Sequence, residues 1–245
     1  MTAAILLSFL LLGSLLLAIL MLRVRAGKAG ELRPLPGPAE LPNAVAGAAE
    51  AGRALHVSVG VAGVGGAATA ETWAGLTLLD QLADDAAVSD APLLVTVADA
   101  TVLPIVQDIL QRAYARNGKA ERYDPGQVRY IAPDHTAYAA GTMGLFERET
   151  LAGNVMVGSF GDEYLLIGEA GVRRGLKQVV GTADPRVLSL VYVSADETLV
   201  GEEMFAAGAY ASQKPGQVAS LLAQDWLRWI VVAAILVTTI GKLVF

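Results

Sequence analysis

No cysteine occurs anywhere in the chain. Disulfide staples, thiolate zinc sites, iron–sulfur clusters and cysteine nucleophiles are excluded at once, and the absence suits either redox compartment. Histidine is nearly absent too: His56 and His135 are the only two, too few for a multi-histidine metal site. Charge is scarce, at 17% of residues, and 18 Lys and Arg stand against 24 Asp and Glu for a net charge of −6. Neutralising phosphates requires clustered cations, so no nucleic-acid partner is expected. The chain has no Gly-Lys-Ser/Thr run, which excludes nucleotide hydrolysis of the P-loop kind. It also has no Gly-x-Ser-x-Gly elbow for a serine hydrolase.

What is present is apolar. Over 245 residues the hydrophobic share is 54%, with a mean hydropathy of +0.49. That is too apolar for an ordinary soluble enzyme and too polar for a polytopic transporter, and it suggests a water-soluble domain carrying a few membrane segments. Residues 3–22 form an uncharged run of 20, roughly 30 Å as a helix, the thickness of a hydrocarbon core. A cleaved signal peptide would want a basic start, a shorter apolar core and a small-x-small cleavage site. Residues 1–25 are therefore expected to be an uncleaved anchor. A second segment spans 227–245, uncharged from Trp229 to Gly241 between Arg228 and Lys242. Both cations can snorkel, and Trp226 and Trp229 suit an interfacial belt. A buried core helix is the alternative there.

Orientation follows from basic charge. Arg23, Arg25, Lys28 and Arg33 follow the first segment and nothing basic precedes it. The positive-inside rule then puts both termini outside an inner membrane and the intervening domain in the cytoplasm, although Lys242 on the outer side runs against the rule.

Between the segments, residues 26–52 hold Pro34, Pro36, Pro38 and Pro42 and are expected to form an extended, polyproline-like tether. From residue 53 to 213 short apolar strands alternate with longer helical stretches. Strands are expected at 54–59, 93–98, 128–132, 155–160 and 178–181. Helices are expected at about 69–87, 101–117, 136–149, 163–174 and 202–212, with 185–193 ambiguous. Continuously apolar strands such as residues 93–97 (LLVTV) belong where both faces of a sheet are covered. The fold class is therefore α/β: a Rossmann-like three-layer domain with a mostly parallel five-stranded sheet, flanked by two transmembrane helices. Residues 214–245 should run as a helix into the second anchor.

Parallel sheets bind ligands beyond the carboxyl ends of their strands. The first such loop carries Gly60, Gly63, Gly65, Gly66 and Thr69, with Gly63-x-Gly65-x-x-Ala68 in a dinucleotide-type spacing between a strand and a helix. Glycine there allows a phosphate to approach a helix start. Asp99 ends the second strand, where a ribose-binding acid often sits, but it lies 31 residues past Ala68 against about 20 in the usual fingerprint. The same glycines could serve close helix packing instead. The remaining strand ends, 99–101, 133–136, 159–163 and 182–184, supply helix N-caps and an acidic, hydroxyl-rich rim with no Lys or Arg in any of the five loops. A triad of Ser159, His135 and Asp162 or Asp184 can be drawn, without a nucleophile elbow to support it. His56, inside the first strand, reads as a satisfied core residue. Asp84, Asp85 and Asp90 read as a solvated helix end.

Residues 52–60 (GRALHVSVG), 69–75 (TAETWAG), 95–101 (VTVADAT), 122–126 (RYDPG), 181–185 (GTADP) and 201–210 (GEEMFAAGAY) resemble an uncharacterised bacterial membrane-protein family, a domain of unknown function with an α/β domain between two membrane segments. The resemblance covers most of residues 50–230 and implies no activity, cofactor or catalytic residue.

The functional expectation is a membrane-anchored, non-enzymatic scaffold or assembly protein whose cytoplasmic domain self-associates. Its partners would be the lipid bilayer and copies of itself or a larger membrane complex. Small residues four apart, Ala4 and Ser8, Ser14 and Ala18, permit close helix approach. The alternatives are a nucleotide- or NAD(P)-binding enzyme, or a small-ligand sensor, using the loop 60–69; a nucleotide is the possible cofactor.

Overall fold

A computed structural model describes the backbone of residues 2–28 and 35–244, and within those the side chains of all but 2–6, 8, 9, 36, 237 and 242–244. The chain divides into two compact units, one made of Met1–Arg33 with Ser212–Phe245 and the other of Pro34–Ala211.

The larger unit is built on six parallel strands: β1 (Ala54–Gly60), β2 (Leu93–Val97), β3 (Val128–Tyr130), β4 (Leu151–Ser159), β5 (Lys177–Thr182) and β6 (Glu197–Val200). Their order across the sheet is β3-β2-β1-β4-β5-β6. The chain therefore works outward from β1 to β3, crosses back, and works outward again from β4. This is the doubly wound order, with its switch point between β1 and β4. Every residue of β2 is buried, and β1 is buried from Leu55 onward, because helices cover both faces.

One helical layer holds α2 (Pro36–Ala51), α3 (Thr69–Ser89), α4 (Leu103–Arg116) and α8 (Glu202–Ser212). Leu41, Val45, Leu79, Leu82, Val106, Leu110, Met204 and Ala207 join Val57 and Val95 there in one core. The other layer holds α5 (His135–Arg148), α6 (Tyr164–Arg173) and α7 (Leu188–Ser194), with Tyr138, Phe146, Tyr164, Ile167 and Val191 packed on Met156 and Val180. The three-layer α/β expectation holds; the strand count does not. The sixth strand, β6, escaped the sequence reading because only Leu199 of its four residues is buried. It is an edge strand with a single neighbour, so it carries no continuous apolar run.

The proline-rich segment differs as well where it is described: Pro36–Ala51 form helix α2 rather than an extended course, and residues 29–34, Pro34 among them, lie outside the described residues. Pro36 and Pro38 fall in the first turn of α2, where backbone N–H groups have no intrahelical partner to lose. Only Pro42 sits inside and removes a ladder bond. Leu41, Val45 and Ala48, spaced four and three apart, are buried to 2% exposure or less, and a left-handed Gly52 closes the helix. Burial of that stripe outweighs the missing bond. Residues 185–193, ambiguous from sequence, are helical from Leu188 onward, in α7.

The smaller unit is a pair of helices, α1 (Thr2–Arg25) and α9 (Pro215–Val244). Leu20, Ala219 and Ala223 are buried between them, flanked by Leu16, Met21, Val24 and Leu222. Alanines on α9 let the backbones approach closely. As expected, α9 runs unbroken into the second apolar segment. Among the described residues one helix is long and apolar enough to cross a membrane, Pro215–Gly241, with a mean hydropathy of 1.6 and 6% of its apolar window buried. That exposure argues against the core-helix alternative. The first of the two expected transmembrane helices, residues 3–22, is helical but lies partly on side chains outside the described residues.

Candidate functional site

β1 and β4 touch most closely at their carboxyl ends. Gly60, at φ +95°, leaves no room for a side chain: a Cβ there would lie 2.7 Å from the backbone of Ser159. The strand register shifts between Ser58 and Gly60, and the Val61 N–H still donates to the Ser159 carbonyl at 2.9 Å; beyond that bond the two chains part, one toward α3 and the other toward α6 in the opposite layer. The gap is a cleft of about 470 Å³ lined by residues 61–64, 66–68, Asp99, His135, 159–161, Asp184 and Arg186. The loops after β1, β2, β4 and β5 all contribute, and α5 returns from the far strand β3 to place His135 there too. This volume suits a small organic ligand, whose sites run from roughly 300 to 1,000 Å³.

Of the six residues singled out in the sequence, Gly63, Gly66 and Asp99 line the cleft. Gly60, Gly65 and Thr69 do not; they shape its wall. The Thr69 hydroxyl donates to the Gly66 carbonyl at 2.6 Å and accepts from the Gly65 N–H at 2.9 Å. Buried Thr72 reaches back to the Ala62 carbonyl at 3.3 Å. Asp99 closes the loop from the other side. Its Oδ1 accepts from the Thr101 N–H at 2.7 Å, and the Thr101 hydroxyl accepts from the Val64 N–H at 3.1 Å. A Cβ at Gly63 would stand 2.5 Å from the Asp99 carboxyl, so a side chain there would have to move Asp99. Among the described contacts, Oδ2 of Asp99 has no partner. The close-packing role weighed for these glycines belongs elsewhere, to Gly75, where a Cβ would meet the Val157 carbonyl at 2.2 Å.

Glu163 reads from the sequence only as part of the acidic rim, and Arg186 is not singled out there. Glu163, 7% exposed, accepts from the Gly161 N–H at 2.7 Å through Oε1, and its Oε2 lies 3.5 Å from Nδ1 of His135. The carboxylate behind the imidazole is thus Glu163, not Asp162 or Asp184 as the triad required. Asp184 is occupied by Arg186, which donates to it through its backbone N–H at 2.9 Å and through Nε at 3.0 and 3.1 Å. That guanidinium holds the Asp184 carboxyl below its ordinary range. Arg186 also corrects the expectation of a rim without cations: it stands two residues past the loop as read from the sequence, in the segment whose structure was ambiguous there. Among the described residues no group of three or more potential metal ligands occurs.

Beneath the cleft a buried polar chain crosses the sheet, and its direction is forced from one end. Gln178 Nε2 donates to the carbonyls of Gly168 at 3.0 Å and Ser194 at 2.7 Å, which can only accept. Its Oε1 therefore accepts from Asn154 Nδ2 at 2.8 Å, and Asn154 Oδ1 accepts from Nδ1–H of His56 at 2.7 Å. His56 Nε2 then accepts a hydrogen bond from the Thr96 hydroxyl at 2.9 Å. Thr96 in turn accepts from Tyr138, Tyr138 from Ser58, each at 2.7 Å, and Ser58 from the Gly60 N–H at 3.3 Å. Each buried polar group here finds a partner, and the switch-point glycine is tied to it. His56 is the satisfied core histidine expected; burial lowers its pKa to about 4 and keeps it neutral.

The whole of this framework, residues 1–245, matches the family described as Domain of unknown function (DUF6754). The chain belongs to that family. No curated protein and no solved structure matches it. In this DUF6754 chain the cleft lies at the β1/β4 switch point.

Proposed function

We propose that this DUF6754 chain is a membrane-anchored protein that binds a nucleotide in the β1/β4 cleft. The observation that carries the reading is the convergence of the β1, β2, β4 and β5 loops on one cavity at the switch point, the position where open α/β sheets hold their ligands. The supporting chemistry is local. A glycine-rich loop permits close approach to the start of α3, Val61, Val64 and Phe160 give an apolar wall, and Asp99 Oδ2 is placed to accept from a ribose diol. The anchors are two transmembrane helices in an inner membrane, with both termini outside and residues 34–211 in the cytoplasm; the basic cluster Arg23, Arg25 and Lys28 supports this.

Isothermal titration of the detergent-solubilised full chain with AMP, ADP and NAD tests the reading. Saturable binding, lost in Gly63→Val because the added side chain displaces Asp99 into the cleft, is expected. Absence of binding by all three at millimolar concentration removes it. The self-associating scaffold then stands in its place. It draws on apolar side chains left exposed on α6 and α7, Leu165, Val172, Tyr192 and Val193, and a monomeric mass in detergent would remove it in turn.

A further inference from the structure

We propose that Leu222, Asp225, Trp226 and Trp229 of α9 form a binding site for the ammonium group of a zwitterionic phospholipid. The site is separate from the nucleotide cleft and rests only on the membrane reading of α9. The four residues border a cavity of about 370 Å³, within the range of small-ligand sites. Counted from Leu222, the other three follow at three, four and seven residues, so all four share one face of the helix. Trp226 and Trp229 are 56% and 70% exposed, which leaves both rings open to a ligand. Among the described contacts no hydrogen bond or ion pair engages the Asp225 carboxylate.

A bilayer boundary alone accounts for the indoles and not for the acid. Trp settles there because its ring is amphipathic, whereas a charged side chain beside hydrocarbon is costly and pairs with an opposite charge. The two kinds of side chain share one preference. An ammonium within about 6 Å of an indole is attracted by the ring quadrupole, and aromatic cages hold quaternary ammonium in this way. The Asp225 carboxylate adds a full opposite charge, and Leu222 gives an apolar wall to the carbons on the nitrogen. The same set repels a phosphate that has no amine beside it. Depth names the source of the cation. The uncharged stretch of α9 begins at Trp229, and Asp225 stands four residues before it, about 6 Å along a helix axis. The headgroup layer is roughly 5–7 Å deep on each side of the hydrocarbon, so the carboxylate falls where lipid ammonium groups stand.

The test is native mass spectrometry of the full chain, released from non-ionic detergent after equilibration with phosphatidylcholine, phosphatidylethanolamine and phosphatidylglycerol of the same acyl chains. The proteins are wild type, Asp225→Asn, Asp225→Glu and the double variant Trp226→Leu/Trp229→Leu. Wild type should retain each amine lipid at least about tenfold over phosphatidylglycerol. That preference should vanish in Asp225→Asn and in the double variant, and persist in Asp225→Glu, which keeps the charge. Flotation of each protein with phosphatidylglycerol vesicles verifies that the anchor is intact. Equal retention of the three lipids by wild type, or a preference that survives Asp225→Asn or the double variant, overturns the site while leaving the anchor in place. Soluble phosphocholine bound as tightly as the lipid overturns the bilayer as the source. A wild type that floats with no vesicle removes the anchor and the site together, and the nucleotide titrations are indifferent to all of these outcomes.

Discussion

His56 shows what burial does to a single titratable side chain. Fully enclosed between Asn154 and Thr96, it has its pKa lowered from 6.5 to about 4. The unfolded chain accepts a proton below pH 6.5, whereas the folded chain refuses it until about pH 4. The unfolded state therefore binds more protons in that window, and stability falls as pH drops through it. A shift of this size corresponds to roughly 3 kcal/mol at most. Denaturant melts at pH 7.5 and pH 4.5 should reveal the loss, and it should shrink in His56→Gln, which does not titrate. A variant as pH-sensitive as the wild type would assign the effect to other groups. The same histidine shows what the sequence left open: Thr96, Asn154 and Gln178 are polar residues in buried strands, and each is a link in one hydrogen-bonded chain.

At the level of elements, glycine in a helix carries opposite signs in α2 and α3. Gly47 of α2 is exposed with open space at its missing Cβ, whereas Gly75 of α3 lies under the Val157 carbonyl at 2.2 Å. Helix propensity favours alanine over glycine by about 1 kcal/mol at either position. Gly47→Ala should therefore stabilise the protein by up to that amount. Gly75→Ala should destabilise it by about 1–3 kcal/mol, because the added methyl pushes α3 off the sheet and the overpacking exceeds the propensity gain. Chemical denaturation of the two variants checks both signs, and stabilisation by Gly75→Ala would mean α3 can retreat without cost. The movement of α3 would reach the cleft as well, since Thr72 ties that helix to the glycine-rich loop.

For the whole molecule the question is how the two units divide the work. α9 has an unburied apolar surface with Trp226 and Trp229 exposed, the amphipathic rings that settle at a bilayer boundary. The larger unit holds the cleft. With the proposed topology, protease added to intact cells should leave residues 34–211 uncut, and protease added to inverted membrane vesicles should release that unit. Digestion from the outer face of intact cells would reverse the orientation and discard the weight given to Arg23, Arg25 and Lys28.

The sequence by itself determined the elements that announce themselves through periodicity. Strands such as LLVTV at 93–97 are buried on both faces and read as continuous apolar runs, and the helices between them are long enough to be unmistakable. That is why the α/β class, the glycine-rich loop after β1 and the position of Asp99 at the end of β2 were all legible. Only the tertiary structure decided the rest, because the deciding interactions join residues far apart in the chain. Nothing local marks β6 as a strand without β5 beside it, and nothing local makes a proline-rich segment helical without a core to receive Leu41, Val45 and Ala48. Glu163 meets His135 across 28 residues, and Arg186 enters the cleft because β5 ends beside β4. Such contacts are set by the order of strands in the sheet, which no window of sequence contains.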